Sequence, residues 1–484
     1  MKNNFVRRIL TSVCVYMALY TTTITITSAG ESEGFIDKLK SHYYKTSSIT
    51  TFSLAYRYLG QSDAYQSWDY KAPSRYQAFK ITDIDLRKKH YAQNVVHHFT
   101  GGLLVDEVHF QNDNESLRYE KNGIFLGKRV SKQNMNSFER YKNLTLMNVD
   151  FFAVRPLFEE TDVGTNINIR QSKLSKETIL THKTPDDKIM EYVFSNSPLR
   201  LLSINNKSRR RIYIYDDYKT SNGLTFAHSL VKYYNGDTIP SFITQTDSFT
   251  IIDKIEPTKL QLPDGYGPII SDGGIKLLST EIAPDLYLIA NASASRNTLF
   301  KVNGNEVMVF GAPVNRKRSE QTIELILEQF PQKKITSVYV THPYSDHIAG
   351  LTAYAKLGAV IRADAYSIEA IKAYPQFKED LEFFKFQTIA NDELIDGVRF
   401  YVLENSRAKR QSFAYFESNG ILYQSDFLEV PFDNTIPKIL PSYTKTFIDF
   451  IRSKQLKIDR IVGHHRNNNI SIDVINKLYD SNRM

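Results

Sequence analysis

Apolar and polar residues follow two different rhythms along this chain, and the change falls a little past its middle. From about residue 30 to 253 apolar positions mostly alternate with polar ones, the period of a half-buried strand. Phe52, Leu54, Tyr56 and Tyr58 mark one such strand. Ile212, Ile214 and Tyr218 lead into Ser221-Asn222-Gly223, and an apolar run over 224–233 returns. Asn-Gly supplies the positive backbone angles that a tight hairpin needs. Asn235-Gly236 supplies a second turn directly after it. Ahead of the strands, Phe35, Ile36, Leu39 and Tyr43 fall on one side of a short helix. The expectation for 30–255 is a mostly antiparallel β domain with one leading helix.

A stretch dense in Pro and Gly follows, from Glu256-Pro257 to Gly267-Pro268, and 256–272 reads as a linker. Beyond it, strands alternate with helices. A hairpin over 298–310 turns at Asn303-Gly304, then come a helix over 320–330, a strand over 335–340 and a helix near 351–357. Strand 359–361, helix 367–374, a hairpin turning at Ser418-Asn419-Gly420, a helix near 447–456 and a last strand over 460–462 complete the pattern. Alternation of this kind implies a layered α/β domain over 273–484, with helices outside mixed sheets.

At 484 residues the chain is too long for one ordinary core, so two domains are expected. Residues 1–29 read as a secretory signal peptide. Lys2, Arg7 and Arg8 precede a short apolar run over 9–20, and Thr27-Ser28-Ala29 offers small residues for cleavage. The mature chain is then exported, periplasmic or secreted, with no transmembrane anchor. Its only cysteine, Cys14, leaves with the leader, so disulfides and thiolate ligands are excluded. Without the leader, 58 basic residues face 53 acidic ones. That excess is too small to point to nucleic acid, and Arg209-Arg210-Arg211 reads as a solvated strand end.

Candidate chemistry sits in the loops of the second half. Eleven histidines occur in all, and those beyond the linker fall into two loops that each follow an apolar strand: His342 and His347, then His464 and His465. The first loop reads Thr341-His342-Pro343-Tyr344-Ser345-Asp346-His347-Ile348-Ala349-Gly350. It resembles the metallo-β-lactamase superfamily signature, His-x-His-x-Asp-His followed by Gly. Glu281 to Tyr287, Gly311-Ala312-Pro313, Gln424-Ser425-Asp426 and Ile461-Val462-Gly463-His464-His465 resemble further parts of such domains in the same order. The resemblance covers roughly the last 200 residues and implies an αββα sandwich. The β-rich part loosely resembles the lipoprotein-carrier-like sheets of the bacterial periplasm, in pattern only.

The resemblance also implies a metal site, and this chain departs from it. Tyr344 stands where the second motif histidine belongs, and the mid-domain loop Glu404-Asn405-Ser406-Arg407 has no histidine, Arg407 or Asn405 taking its place. The first of the family's two metal sites thus keeps His342 alone. The second keeps Asp346, His347, Asp426 and one of the terminal pair, His465 by its position after the strand, with His464 as the alternative. Two carboxylates and two imidazoles suit one divalent metal, zinc before iron or manganese. Each residue also has a plainer reading: Asp346 as a helix cap, His342 as a structural histidine, Asp426 as a turn former.

The expected function is therefore an exported, single-metal hydrolase that attacks an ester, amide or phosphoester with metal-bound water. Asp346 would orient the water, Tyr344 would donate a hydrogen bond, and Arg407 would stabilise a developing oxyanion. Its partner would be a small-molecule or envelope-derived substrate. The competing expectation is a non-catalytic envelope-binding protein on the same fold, with the metal absent, which the lost ligands favour.

Overall fold

The architecture comes from a computed structural model, which describes residues 29–62, 65–159, 166–171, 176–270, 276–291 and 296–482. The leader-like segment through Ser28, with Cys14, lies outside the described residues. Compactness groups the chain into two units that interleave in sequence. One joins the residues up to Ile49 with 146–243, and the other joins 50–145 with the chain from Thr244 onward.

In the first unit antiparallel strands follow one another from Ile167–Gln171 through Glu177–Lys183, Ile189–Asn196, Leu199–Asn206 and Arg211–Ser221 to Leu224–Tyr234. Ser221 pairs with Leu224 across Asn222 and Gly223, whose φ values of 52° and 74° are those the expected hairpin turn demands. The helix Ala29–His42 buries Ile36, Leu39 and Phe35, with the Phe35 ring edge-on to Phe194. Each such side chain contributes about 1.5–3 kcal/mol on leaving water. The predicted amphipathic face is thus the one that packs.

The second unit begins with a meander. Strands Thr51–Ser62, Ser74–Asp85, His90–His98, Leu104–Gln111 and Ser116–Glu120 pair antiparallel in sequence order. Residues of 252–266 lie across one face of it: Ile255 is buried with Phe110, Leu117 and Tyr119, and Leu260, Leu262 and Tyr266 pack beside them. The Pro- and Gly-rich segment is therefore docked rather than free. Lys259 pairs with Asp83, and the Tyr266 hydroxyl donates to the Glu120 carbonyl.

After Lys276 the chain builds two sheets. One has seven strands among the described residues, Leu278–Ala283, Leu286–Ala290, Thr298–Asn303, Glu306–Phe310, Lys334–Tyr339, Val360–Ala363 and Lys385–Thr388, antiparallel at first and parallel from Glu306–Phe310 on. The other has five, Glu393–Ile395, Val398–Leu403, Gln411–Phe416, Ile421–Gln424 and Arg460–Gly463, of which the last pair is parallel.

Three hydrophobic cores define the layers. Leu288, Phe310 and Tyr339 of the first sheet meet Phe400, Phe416 and Tyr423 of the second between the sheets. Ile323, Ile326, Leu351, Tyr354 and Ile371, from the helices Arg316–Gln329, Leu351–Lys356 and Ala365–Ala373, cover the outer face of the first. Phe447, Ile448, Ile451, Ile475 and Leu478, from the helices Ser442–Ser453 and Ile472–Ser481, cover the second. Helix, sheet, sheet, helix is the expected αββα sandwich.

One buried acid in the first unit carries a measurable consequence. Asp150 opens the helix Asp150–Ala153, is 1% exposed, and accepts the Ala227 amide at 2.9 Å. Burial pushes its carboxyl up to about 6. The folded state then holds this proton more tightly than the unfolded chain does. Stability from this group is fully present below about pH 4 and is lost as pH rises to about 6, by about 3 kcal/mol. Urea midpoints across pH 4 to 8 should show that fall in the wild type and lack it in Asp150→Asn. Parallel profiles for the two would contradict the assignment.

Candidate metal centre

Register places the site residues. The strand Lys334–Tyr339 runs into Val340, Thr341 and His342, all buried, and the Thr341 carbonyl accepts both the amide and the hydroxyl of Ser412 from the facing sheet, at 2.7 and 3.0 Å. The histidine loop is thereby tied across the sandwich. In the second sheet Gln424 pairs with Gly463 in parallel, and the His464 amide donates to the Gln424 carbonyl at 2.8 Å. Two parallel strands that end side by side bring Asp426 next to His464 and His465. Loops hung from rigid strand ends hold side chains more firmly than free loops do.

Within this frame the predicted residues converge. His347 Nε2 lies 3.6 Å from Asp346 Oδ1, 3.5 Å from Asp426 Oδ1 and 3.2 Å from His465 Nε2. His465 Nε2 lies 2.9 Å from Asp426 Oδ1. Donors around one tetrahedral zinc stand about 3.3–3.4 Å apart, given metal–ligand lengths of roughly 2.0–2.1 Å. These separations bracket that value. His342 is not isolated either, its Nε2 being 3.6 Å from Asp426 Oδ2. Two sets of donor atoms, each within 4.8 Å of one another, can hold a metal: His342, His347 and Asp426, or His347, His464 and His465.

The imidazoles are oriented from behind. Thr341 Oγ1 lies 3.1 Å from His342 Nδ1, Ser425 Oγ 3.1 Å from His347 Nδ1, and the Tyr423 hydroxyl 2.7 Å from His464 Nδ1. A hydroxyl on Nδ1 turns Nε2 inward, the usual outer support of a metal-binding histidine. Nε2 of His342 and Nε2 of His464 are buried without a hydrogen-bond partner, which is costly unless a further group meets them. Burial, reinforced by the charge of His347, takes His342 down to about 4, so its ring is neutral at physiological pH.

Two arginines complete the cluster. Arg407 donates from Nε and Nη2 to Asp426 Oδ2, at 3.0 and 2.6 Å. Burial alone would raise the Asp426 carboxyl, but Arg407, His347 and His465 outweigh it and hold the acid well below its ordinary range. Arg296 donates to Asp346 Oδ2 at 2.9 Å and to His465 Nδ1 at 2.5 Å. A guanidinium has no acceptor, so His465 Nδ1 must accept, and the hydrogen of the neutral ring sits on Nε2, facing Asp426. In that state His465 is a donor to Asp426. His342, His347 and Asp426 remain as the candidate donor set, two imidazoles and one carboxylate, which is a common shell for catalytic zinc.

No family model and no curated protein matches the chain. Solved structures do. TMB-1 is 16% identical, over 42% of this chain and 94% of that one, with a TM-score of 0.33. A metallo-β-lactamase from Hirschia baltica is 12% identical, over 43% and 98%, with a TM-score of 0.32. FIM-1 from Pseudomonas aeruginosa, in its mono-zinc form, is 13% identical, over 43% and 98%, with a TM-score of 0.33.

Of the residues singled out from sequence, Asp346, His347, Asp426, His342, His464, His465 and Arg407 come together. Tyr344 is buried among them, but its hydroxyl donates to the Arg407 carbonyl at 2.6 Å. It holds that loop. Asn405 does the same from the other side, its Oδ1 accepting the amides of Arg407 and Ala408. Between the two alternatives for the vacated histidine position, Arg407 is the one that reaches the cluster. Sequence reading missed Arg296, Glu429 and Arg466. Arg466 directly follows His465, and its proximity was a usable signal; Arg296 stands alone after Ser295, with no motif around it.

Removing the guanidinium from this pair would leave the buried Asp426 carboxylate with only its imidazole contacts. Arg407→Leu should cost about 3–5 kcal/mol in metal-free protein. Added zinc should then raise the melting temperature of Arg407→Leu more than that of the wild type, because the ion would replace the missing charge. An unchanged melting temperature, or equal zinc responses, would argue against the coupling.

Proposed function

We propose that this chain is an exported metal-dependent hydrolase with a single divalent ion, zinc by its donor set. The carrying observation is the buried group of His342, His347 and Asp426, whose donor atoms lie within 4.8 Å of one another. Export rests on the leader-like residues 1–29 of the sequence. No helix among the described residues is long and apolar enough to cross a membrane.

A bound divalent ion would supply Lewis-acid polarisation of a carbonyl or phosphoryl oxygen and acidify water. The chain's own residues do the remainder. Arg407 keeps Asp426 ionised. Arg296 fixes the His465 tautomer and anchors Asp346, which is half-buried and lines a pocket of about 150 Å³ together with Asp426 and His465. Those two carboxylates and the imidazole face the space where an ester, amide or phosphoester would enter. Arg407, 12% exposed by its side chain and also lining the pocket, is placed to offset charge that develops there.

The second reading, a non-catalytic envelope-binding protein, has one observation in its favour. Arg407 and Arg296 already neutralise Asp426 and Asp346, so the cluster is balanced without a metal.

Metal content separates the two. Purified full-length protein should carry about one equivalent of a divalent metal, lose it with His347→Ala, and hydrolyse some member of an ester, amide and phosphodiester panel in a chelator-sensitive way. Protein that binds no zinc, iron or manganese when supplied in excess would favour the binding protein.

A further inference from the structure

The pocket has more positive charge than its acids can balance, and the surplus comes from outside the αββα layers. Four arginines line it: Arg75, Arg296, Arg407 and Arg466. Three are matched one to one, Arg296 with Asp346, Arg407 with Asp426, and Arg466 with Glu429 at 2.8 Å. Arg75, on the meander strand Ser74–Asp85, is exposed and makes no ion pair among the described residues. With His465 neutral, the pocket therefore carries one net positive charge from its side chains, and a divalent ion would raise that to three.

The wall that carries Arg75 is fixed in place. The Ser345 amide, beside the histidine loop, donates to the Tyr65 carbonyl at 3.1 Å, and Trp68 Nε1 donates to the Asn405 carbonyl at 2.8 Å. Asp69 accepts from Tyr366 and Lys409, both at 3.0 Å. Opposite, the Arg466 guanidinium lies 3.6 Å from the Phe125 ring centre, held by Glu429 and by a φ of 58°. Stacking and pairing set a planar donor group in one orientation, which is the arrangement that recognises an oxyanion. In a cleft lined by one sign of charge, surplus positive charge raises the local concentration of anions.

We propose that the pocket binds a ligand bearing an oxyanion, a phosphate or a carboxylate, and that Arg75 is the residue that selects it. That this ligand is the substrate rests on the hydrolase reading above; the binding itself does not. Arg75 belongs to the N-terminal meander, so the meander would be a specificity element for the neighbouring sandwich.

The test is calorimetric titration of the full chain with inorganic phosphate and, separately, with succinate, at constant ionic strength, metal-loaded and chelator-treated. At least one anion should bind in both states. Arg75→Gln should weaken it about tenfold, while Arg57→Gln, which removes a charge paired with Asp247 outside the pocket lining, should stay within about twofold. Phosphate binding alone would assign a phosphoester or phosphate group, and succinate binding alone a carboxylate. Binding of neither anion, or equal affinity in wild type and Arg75→Gln, would overturn the proposal even if metal-dependent hydrolysis were found. Anion binding that responds to Arg75→Gln in a protein that retains no metal would sustain it while removing the hydrolase reading.

Discussion

The Arg407–Asp426 pair is the interaction on which the site depends. Taking both ions out of water costs several kcal/mol each, and only tight geometry offsets it. The structure invests heavily in that geometry. Tyr344 holds the Arg407 carbonyl, Asn405 holds its amide, and the rings of Tyr344 and Tyr443 lie 5.6 and 5.5 Å from the guanidinium. Gly101, at φ +83°, lets the meander approach so closely that a Cβ there would stand 3.0 Å from the Arg407 Cα. A side chain at that position would crowd the Tyr443 ring, at 2.9 Å, as well as the Arg407 backbone. Asp426, held ionised by this contact, in turn faces His342, His347 and His465.

Strain gathers at the same place. Asp426, Arg466 and Val314 all have φ between 58° and 69°. For the β-branched Val314 this is a real outlier, and its amide is spent on the Asp346 carbonyl at 2.9 Å. Left-handed residues cost about 1–3 kcal/mol each and persist only where surrounding packing over-determines them. Here the surroundings are three closed hydrophobic cores and the sheet ends they fix. The rigidity of the layers is what allows loop residues from separate strand ends to meet within a few ångströms.

Much of this was legible in sequence because it is local. The helix expected over 320–330 and the strand expected over 335–340 fall within two residues of the observed ends except at the helix start, where Arg316–Ser319 carry no apolar signal, and Asn222-Gly223 and Asn303-Gly304 follow from turn chemistry. The convergence of the histidine and aspartate loops is what the resemblance of their motifs implies; order along the chain alone does not give it. What was not legible is non-local. The strands 385–388, 393–395 and 398–403 are too short or mixed to show a period, and the helix 472–481 lies beyond the last motif. The grouping of 50–145 with the sandwich, and with it Arg75, Phe99 and Phe125 as pocket walls, depends on contacts across hundreds of residues that no period records. Arg296 was invisible for a related reason: a single cation in a loop looks the same whether it meets solvent or a histidine. The motif makes Tyr344 a donor into the gap, yet its hydroxyl donates instead to the Arg407 carbonyl, which only the fold brings near.

His342, His347 and Asp426 would form one metal-binding point beneath a guanidinium clamp. Anomalous diffraction from crystals soaked in zinc tests it most directly. One strong peak is expected about 2.0–2.2 Å from a nitrogen of His342, a nitrogen of His347 and a carboxylate oxygen of Asp426. A cluster with no peak, Arg407 still on Asp426 and both buried Nε2 atoms still bare would contradict it.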